Sequence, residues 1–205
     1  MGGPLKVLHC PHLVGGHATN LARSEKILGS QSVAVSWRES LFGYPADEIL
    51  WRSDTNFISQ ELSRWRLLRR VVRDFDVVHY NYGTPILNWG ALDGRHRQIG
   101  CGLGNIYASV NQAFELPFLK RMGKLIVVTY QGDDARQGDY CRANFDISIA
   151  DEVGNEYYSD IIDATKRARI AKFANSADLI YALNPDLLRV LPSRAKFLPY
   201  AHIDL

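Results

Sequence analysis

The chain has 205 residues, 46% of them hydrophobic and 22% charged, with a formal net charge of +2. That is the composition of an ordinary globular domain with room for a sizeable core, and it excludes a strongly basic nucleic-acid binder. Three cysteines, Cys10, Cys101 and Cys141, are too few and too scattered for a disulfide framework. No run of about 18 apolar residues occurs, so no membrane-spanning helix is predicted.

In chain order, short Val/Ile-rich runs alternate with longer helical patterns. Strands are predicted at Leu5–His9, Ser32–Trp37, Asp76–Tyr82, Lys124–Tyr130, Ala177–Leu183 and Ala195–Tyr200. Their runs are continuous rather than alternating, as in strands covered on both faces of a parallel sheet. Helices are predicted at His17–Gly29, Ser59–Phe75, Asn105–Met122 (interrupted near Pro117) and Glu156–Ala174, with loops at Leu41–Asn56 and Gly94–Asn105. The alternation predicts an α/β fold: a Rossmann-like, doubly wound parallel sheet of about six strands in the order 3-2-1-4-5-6, with helices on both faces.

Several polar stretches fall at predicted strand ends, where open α/β sheets bind ligands. Gly15 and Gly16 join the first strand to the first helix. They serve either a tight turn or close approach of an anion to a helix start, with His17 beside it. His9, Cys10, His12 and His17 lack metal-site spacing, and His9 and Cys10 should face opposite sides of the sheet, so no metal is expected. His79 and Asn81 lie two apart at the end of the third strand, as ligand-facing groups or as a hydrogen-bonded core edge. Gln131, Gly132, Asp133 and Asp134 follow the fourth strand. The two aspartates could hold hydroxyls, steer a nucleophile or bind a divalent cation with phosphate, or Asp133 could cap the next helix. Arg66, Arg69, Arg70 and Arg73 recur at helical spacing. They form either a solvated face or a basic amphipathic helix able to rest on an anionic membrane surface. Neither a dinucleotide GxGxxG nor a Walker A loop is present, which disfavours a nicotinamide-dependent oxidoreductase.

The ordered set "PHLVGGHATNLAR", "DVVHYNYG", "VVTYQGDDAR", "ADLIYALNPDLLRVLP" and "KFLPYAHID" resembles the N-terminal domain of a GT-B fold glycosyltransferase. The resemblance is to the retaining, nucleotide-sugar-dependent, family 4-like group, and it spans almost the whole chain. It implies that residues 1–205 are the acceptor-side half of the enzyme, with a C-terminal donor-binding domain absent. It implies transfer from a nucleotide-diphospho sugar to a hydroxyl acceptor (a sugar, a lipid-linked sugar or another), with no cofactor and no obligatory metal. Asp134 and His17 would be catalytic. Gly15, Gly16, His79, Asn81, Gln131, Gly132 and Asp133 would bind acceptor or phosphate, Gln131 standing where the family has histidine. Such a protein would be cytoplasmic, resting on the inner face of the membrane. The competing expectation is a non-catalytic Rossmann-like domain that binds a phosphorylated ligand or partner.

Overall fold

The computed structural model describes residues 3–40, 42–52, 54–87, 102–154 and 157–200, without the side chains of 102–109 and 112–113. Cys101, most of the Gly94–Asn105 loop and the 201–205 tail lie outside the described residues.

Seven parallel strands form one sheet: β1 Lys6–Cys10, β2 Gln31–Ser36, β3 Glu48–Ile49, β4 Val77–Asn81, β5 Leu125–Tyr130, β6 Leu179–Ala182 and β7 Lys196–Phe197. Their order is β3-β2-β1-β4-β5-β6-β7. The helices are α1 His17–Ile27, α2 Phe57–Asp74, α3 Gly102–Arg121, α4 Gly138–Asn144, α5 Ile149–Glu152 and α6 Asp160–Ser176. This is the expected Rossmann-like α/β fold. Among the described residues, no helix is long and apolar enough to cross a membrane.

The expected strand order needs one correction. The Asp76–Tyr82 strand does not take an edge; as β4 it pairs with β1, Val7 opposite Val77 and His9 opposite His79. The edge belongs to β3, from a segment that reads as loop in sequence. Two residues are too few for a periodic signal, and β3 is fixed by its surroundings. The Asp47 carboxylate accepts from the Ala34 amide at 2.7 Å and from Lys26 Nζ at 2.9 Å. Glu48 receives both Arg70 nitrogens from α2.

The two faces of the sheet differ in chemistry. One presents Leu8, Cys10, Val35, Val78, Tyr80, Ile126, Val128 and Ile180, all buried against Leu67, Leu68 and Val71 of α2, Leu116 and Leu119 of α3, and Ile170 and Phe173 of α6. Burial of this one cluster supplies most of the driving force for folding. The opposite face presents His9, Ala34, His79 and Thr129, and among the described residues it is covered by α1 over β1 and β2. Farther along that face Leu125 and Leu179 are 49% and 42% exposed. The strands are therefore not all buried on both sides.

Two helix starts show how local sequence sets the elements. Asn56 caps α2, its side chain accepting from the Ser59 amide at 2.9 Å. At α1, Gly15 and Gly16 adopt φ of 60° and 68°, the left-handed region that glycine enters without penalty. A Cβ on Gly16 would stand 3.0 Å from the Tyr44 ring, and one on Gly15 would stand 3.5 Å from Tyr200. The pair thus makes the turn and is roofed by two aromatic rings. Pro117 lies inside α3, which runs on through it.

Candidate functional site at the carboxyl edge of the sheet

The chain leaves β1 toward one face and β4 toward the other, so the switch point of the sheet lies between these two strands. Crevices at such points, outside the carboxyl ends of the strands, are where open α/β sheets hold ligands. The loops after β1, β4 and β5 meet there around a cavity of about 230 Å³ lined by Val14, Tyr82, Gln131, Gly132, Asp133 and Arg136.

Below the cavity, on the α1 face, lies a buried polar chain. Asn81 Nδ2 donates to His9 Nδ1 at 3.2 Å, which leaves the proton on His9 Nε2 to be donated to Glu25 Oε2 at 2.8 Å. His79 stacks beside His9 with ring centroids 5.0 Å apart, and its Nε2 bonds the Thr129 hydroxyl at 2.7 Å. The His17 ring is 6.5 Å from His79 and 6.4 Å from Tyr200. Burial, with His9 and His17 close by, holds His79 well below the ordinary histidine range, so it is neutral. His9 sits in this chain while Cys10 points into the apolar core on the other face, as strand alternation requires.

Gln131 continues the chain upward. Its Nε2 donates to the Asn81 carbonyl at 3.2 Å, while Gln131 Oε1 and Asn81 Oδ1 are buried without a hydrogen-bond partner among the described residues. Gln131 lines the cavity, with its side-chain oxygen buried beneath the surface.

Asp134, fully buried, ties two loops together. Its carboxylate accepts from the amides of Gly83 at 2.9 Å, Gln131 at 3.0 Å and Gly132 at 2.8 Å. Burial raises its pKa, and those amides together with the Arg169 charge pull it back. Gly83 is required on the partner side, since any side chain there would overlap the Tyr130 ring. Asp133 points the other way: its side chain is 59% exposed and accepts from the Tyr158 hydroxyl and Arg136. It does not cap α4, whose first residue follows Gln137. Arg136 is held chiefly by Asp186, at 3.0 Å.

Several residues at this edge were not among the expected site residues. Tyr82 has φ of 137°, a strained conformation for a bulky residue and one that recurs at functional sites. His12 packs edge-on to Trp37 and Tyr82 at 4.7 and 5.5 Å. Burial and the charges of Arg169, Arg38 and Arg64 push its pKa down to about 4, and its Nε2 has no partner among the described residues. Arg169 of α6 is buried, with Nε and Nη1 unpartnered among the described residues, and its charge acts on Asp134, Tyr82 and Tyr130. A buried arginine within a helix looks, in sequence, like any surface cation.

The predicted arginine stripe is divided by the structure. Arg66, Arg69 and Arg73 are exposed, whereas Arg70 is half-buried against Glu48.

No family model matches the sequence, and no curated protein matches it. Comparison with solved structures returns, among others, a putative short-chain alcohol dehydrogenase from Burkholderia multivorans. It is 13% identical, covers 98% of this chain and 97% of its own, and superposes with a TM-score of 0.41. That description belongs to the Burkholderia protein; at this identity and score nothing of its substrate or cofactor passes to this chain. The glycosyltransferase reading is corrected on these findings. No family match supports a GT-B half or its sugar donor and hydroxyl acceptor, and the solved structure reported above is described as a dehydrogenase, not a sugar transferase. The ordered motifs that carried the resemblance are explained by the general fold: polar loops after β1, β4 and β5 recur in Rossmann-like sheets. The alternative, a non-catalytic domain for a phosphorylated ligand, gains no support either and is set aside.

Proposed function

We propose that the carboxyl-edge cavity binds a small polar molecule that presents hydroxyl or amino donors. The observation that carries this reading is the cavity itself, at the switch point of the sheet and lined by Tyr82, Gln131, Gly132, Asp133 and Arg136. The neighbouring groups suit the same ligand. The Asp133 carboxylate is exposed at the rim, and His12 packs behind Tyr82. The strain at Tyr82 is consistent with a loop shaped for a ligand rather than for stability alone. His17, His79 and Asn81 stand behind this wall, and the Asp134 clasp sets the spacing of its two loops.

The test is a screen of small polyols, amino alcohols and nucleosides against the labelled chain, followed through the amide resonances of Tyr82, Gly132 and Asp133. Binding compounds should move these resonances in the wild type, and Gln131→Leu should abolish the effect without lowering the melting temperature. Gln131→Glu should retain the amino compounds. If no compound moves those resonances, or if Gln131→Leu binds as the wild type does, the reading fails.

A further inference from the structure

We propose that the outward face of α2 docks on an anionic lipid surface. The helix buries Arg64, Leu67, Leu68 and Val71 against the sheet. At 3.6 residues per turn, Ile58, Leu62, Trp65, Arg66, Arg69 and Arg73 fall within about 100° of arc on the opposite side. Ile58 is 70% exposed, Leu62 49% and Trp65 39%. The strip is therefore graded along the axis, apolar and aromatic in its first half and cationic in its second.

Trp65 is 39% exposed, while Leu68, three residues on, is buried. A half-exposed indole beside two exposed aliphatic side chains is unusual on a solvated helix and ordinary on one lying at a lipid interface.

Charge selects among occupants. Arg70 is committed to Glu48, and Arg73 is paired with the neighbouring Asp74 at 2.7 Å. Arg66 and Arg69 make no ion pair among the described residues and stand next to Trp65 and Leu62. Glu61 pairs with Arg64. The face thus offers two uncommitted guanidiniums level with an apolar ridge, which matches lipid phosphates and anionic headgroups above an acyl layer. The inference is independent of the cavity reading above.

The experiment uses the full chain with vesicles of phosphatidylcholine alone and of phosphatidylcholine containing phosphatidylserine, measured by co-sedimentation and by the fluorescence of Trp65. The wild type should partition to the anionic vesicles, with a blue shift that Trp65→Phe removes, and added salt should release it. R66Q/R69Q should weaken partitioning by roughly tenfold. Ile58→Ser with Leu62→Ser should weaken binding to the anionic vesicles at unchanged charge. All these side chains point away from the core, so melting temperatures should stay at the wild-type value and report any loss of fold. Equal partitioning to neutral and anionic vesicles, an unaffected R66Q/R69Q variant, or concentration-dependent self-association through this face would overturn the proposal.

Discussion

Glu115 of α3 is a buried carboxylate that no motif announced. It accepts from the Tyr80 hydroxyl at 2.6 Å and from the amides of Ile86 and Leu87 at 2.8 and 2.6 Å, pinning the loop after β4 to the helix. Burial pushes its pKa up to about 6, the hydrogen bonds resisting the rise. Because the folded value lies above the ordinary one, Glu115 favours folding most at low pH. That contribution is lost as pH rises through about 6. A shift of this size is on the order of 2 kcal/mol. The stability difference between wild type and Glu115→Gln in urea titrations should therefore shrink by about that amount between pH 4 and pH 7. A pH-independent difference would show that the carboxyl does not titrate in the folded state. At this scale the sequence was partly legible. Strand-end position marked Gln131, Asp133 and Asp134 as site residues, because a polar group directly after a buried apolar run has few other places to go. It could not say which aspartate turns inward, since adjacent carboxylates carry the same chemistry until a backbone amide claims one. Glu115 and Arg169 were invisible, and His12 and Tyr82 carried no role, because their character comes from burial, which the local sequence does not carry.

Among the elements, the long ones were the legible ones. β1, β2, β4, β5 and β6, and helices α1, α2, α3 and α6, fall within a few residues of their predicted bounds because apolar periodicity over several turns or pleats is a strong signal. β3, α4 and α5 are short and are held by partners distant in sequence, so they left none. α2 gives the sharpest quantitative test of what holds an element in place. Asn56→Ala removes one capping bond at the surface and should cost about 1 kcal/mol. Leu68→Ala empties part of the core shared with the sheet and should cost about 2–5 kcal/mol. The bidentate Arg70–Glu48 pair is a third to two-fifths exposed, and its removal should cost no more than about 1 kcal/mol. Thermal melts of the three variants should place Leu68→Ala well below the other two. A pair variant as damaging as Leu68→Ala would mean that α2 is held by charge rather than by packing.

For the whole molecule, the alternation of strands and helices was enough to give the Rossmann-like sheet, and it was not enough to give the neighbours of each strand. The apolar run of β4 reads the same at an edge or in the middle, and only the pairing with β1 reveals its place. Nor could the runs disclose the polar layer beneath α1, because His9, His79 and Thr129 each look like an isolated exception within an otherwise apolar strand. The resemblance drawn from ordered motifs followed the fold correctly and the activity incorrectly, as expected where a fold hosts many chemistries.

The central pairing of the sheet also governs how the chain must emerge from the ribosome. Lys6 donates its amide to Asp76, a contact spanning 70 positions, and β1 meets β4 through four register pairs. Until β4 has been made, one side of β1 is a bare edge carrying Val7 and Leu8, a template for the wrong partner. A nascent chain of this protein therefore passes through a long interval in which its first strand is half-paired. A fragment ending at Asp74 retains β1, β2, β3, α1 and α2 and should self-associate, with light scattering that rises with concentration. The full chain at the same concentrations should scatter as single molecules. A monodisperse fragment would mean that α1 and α2 alone shield the open edge.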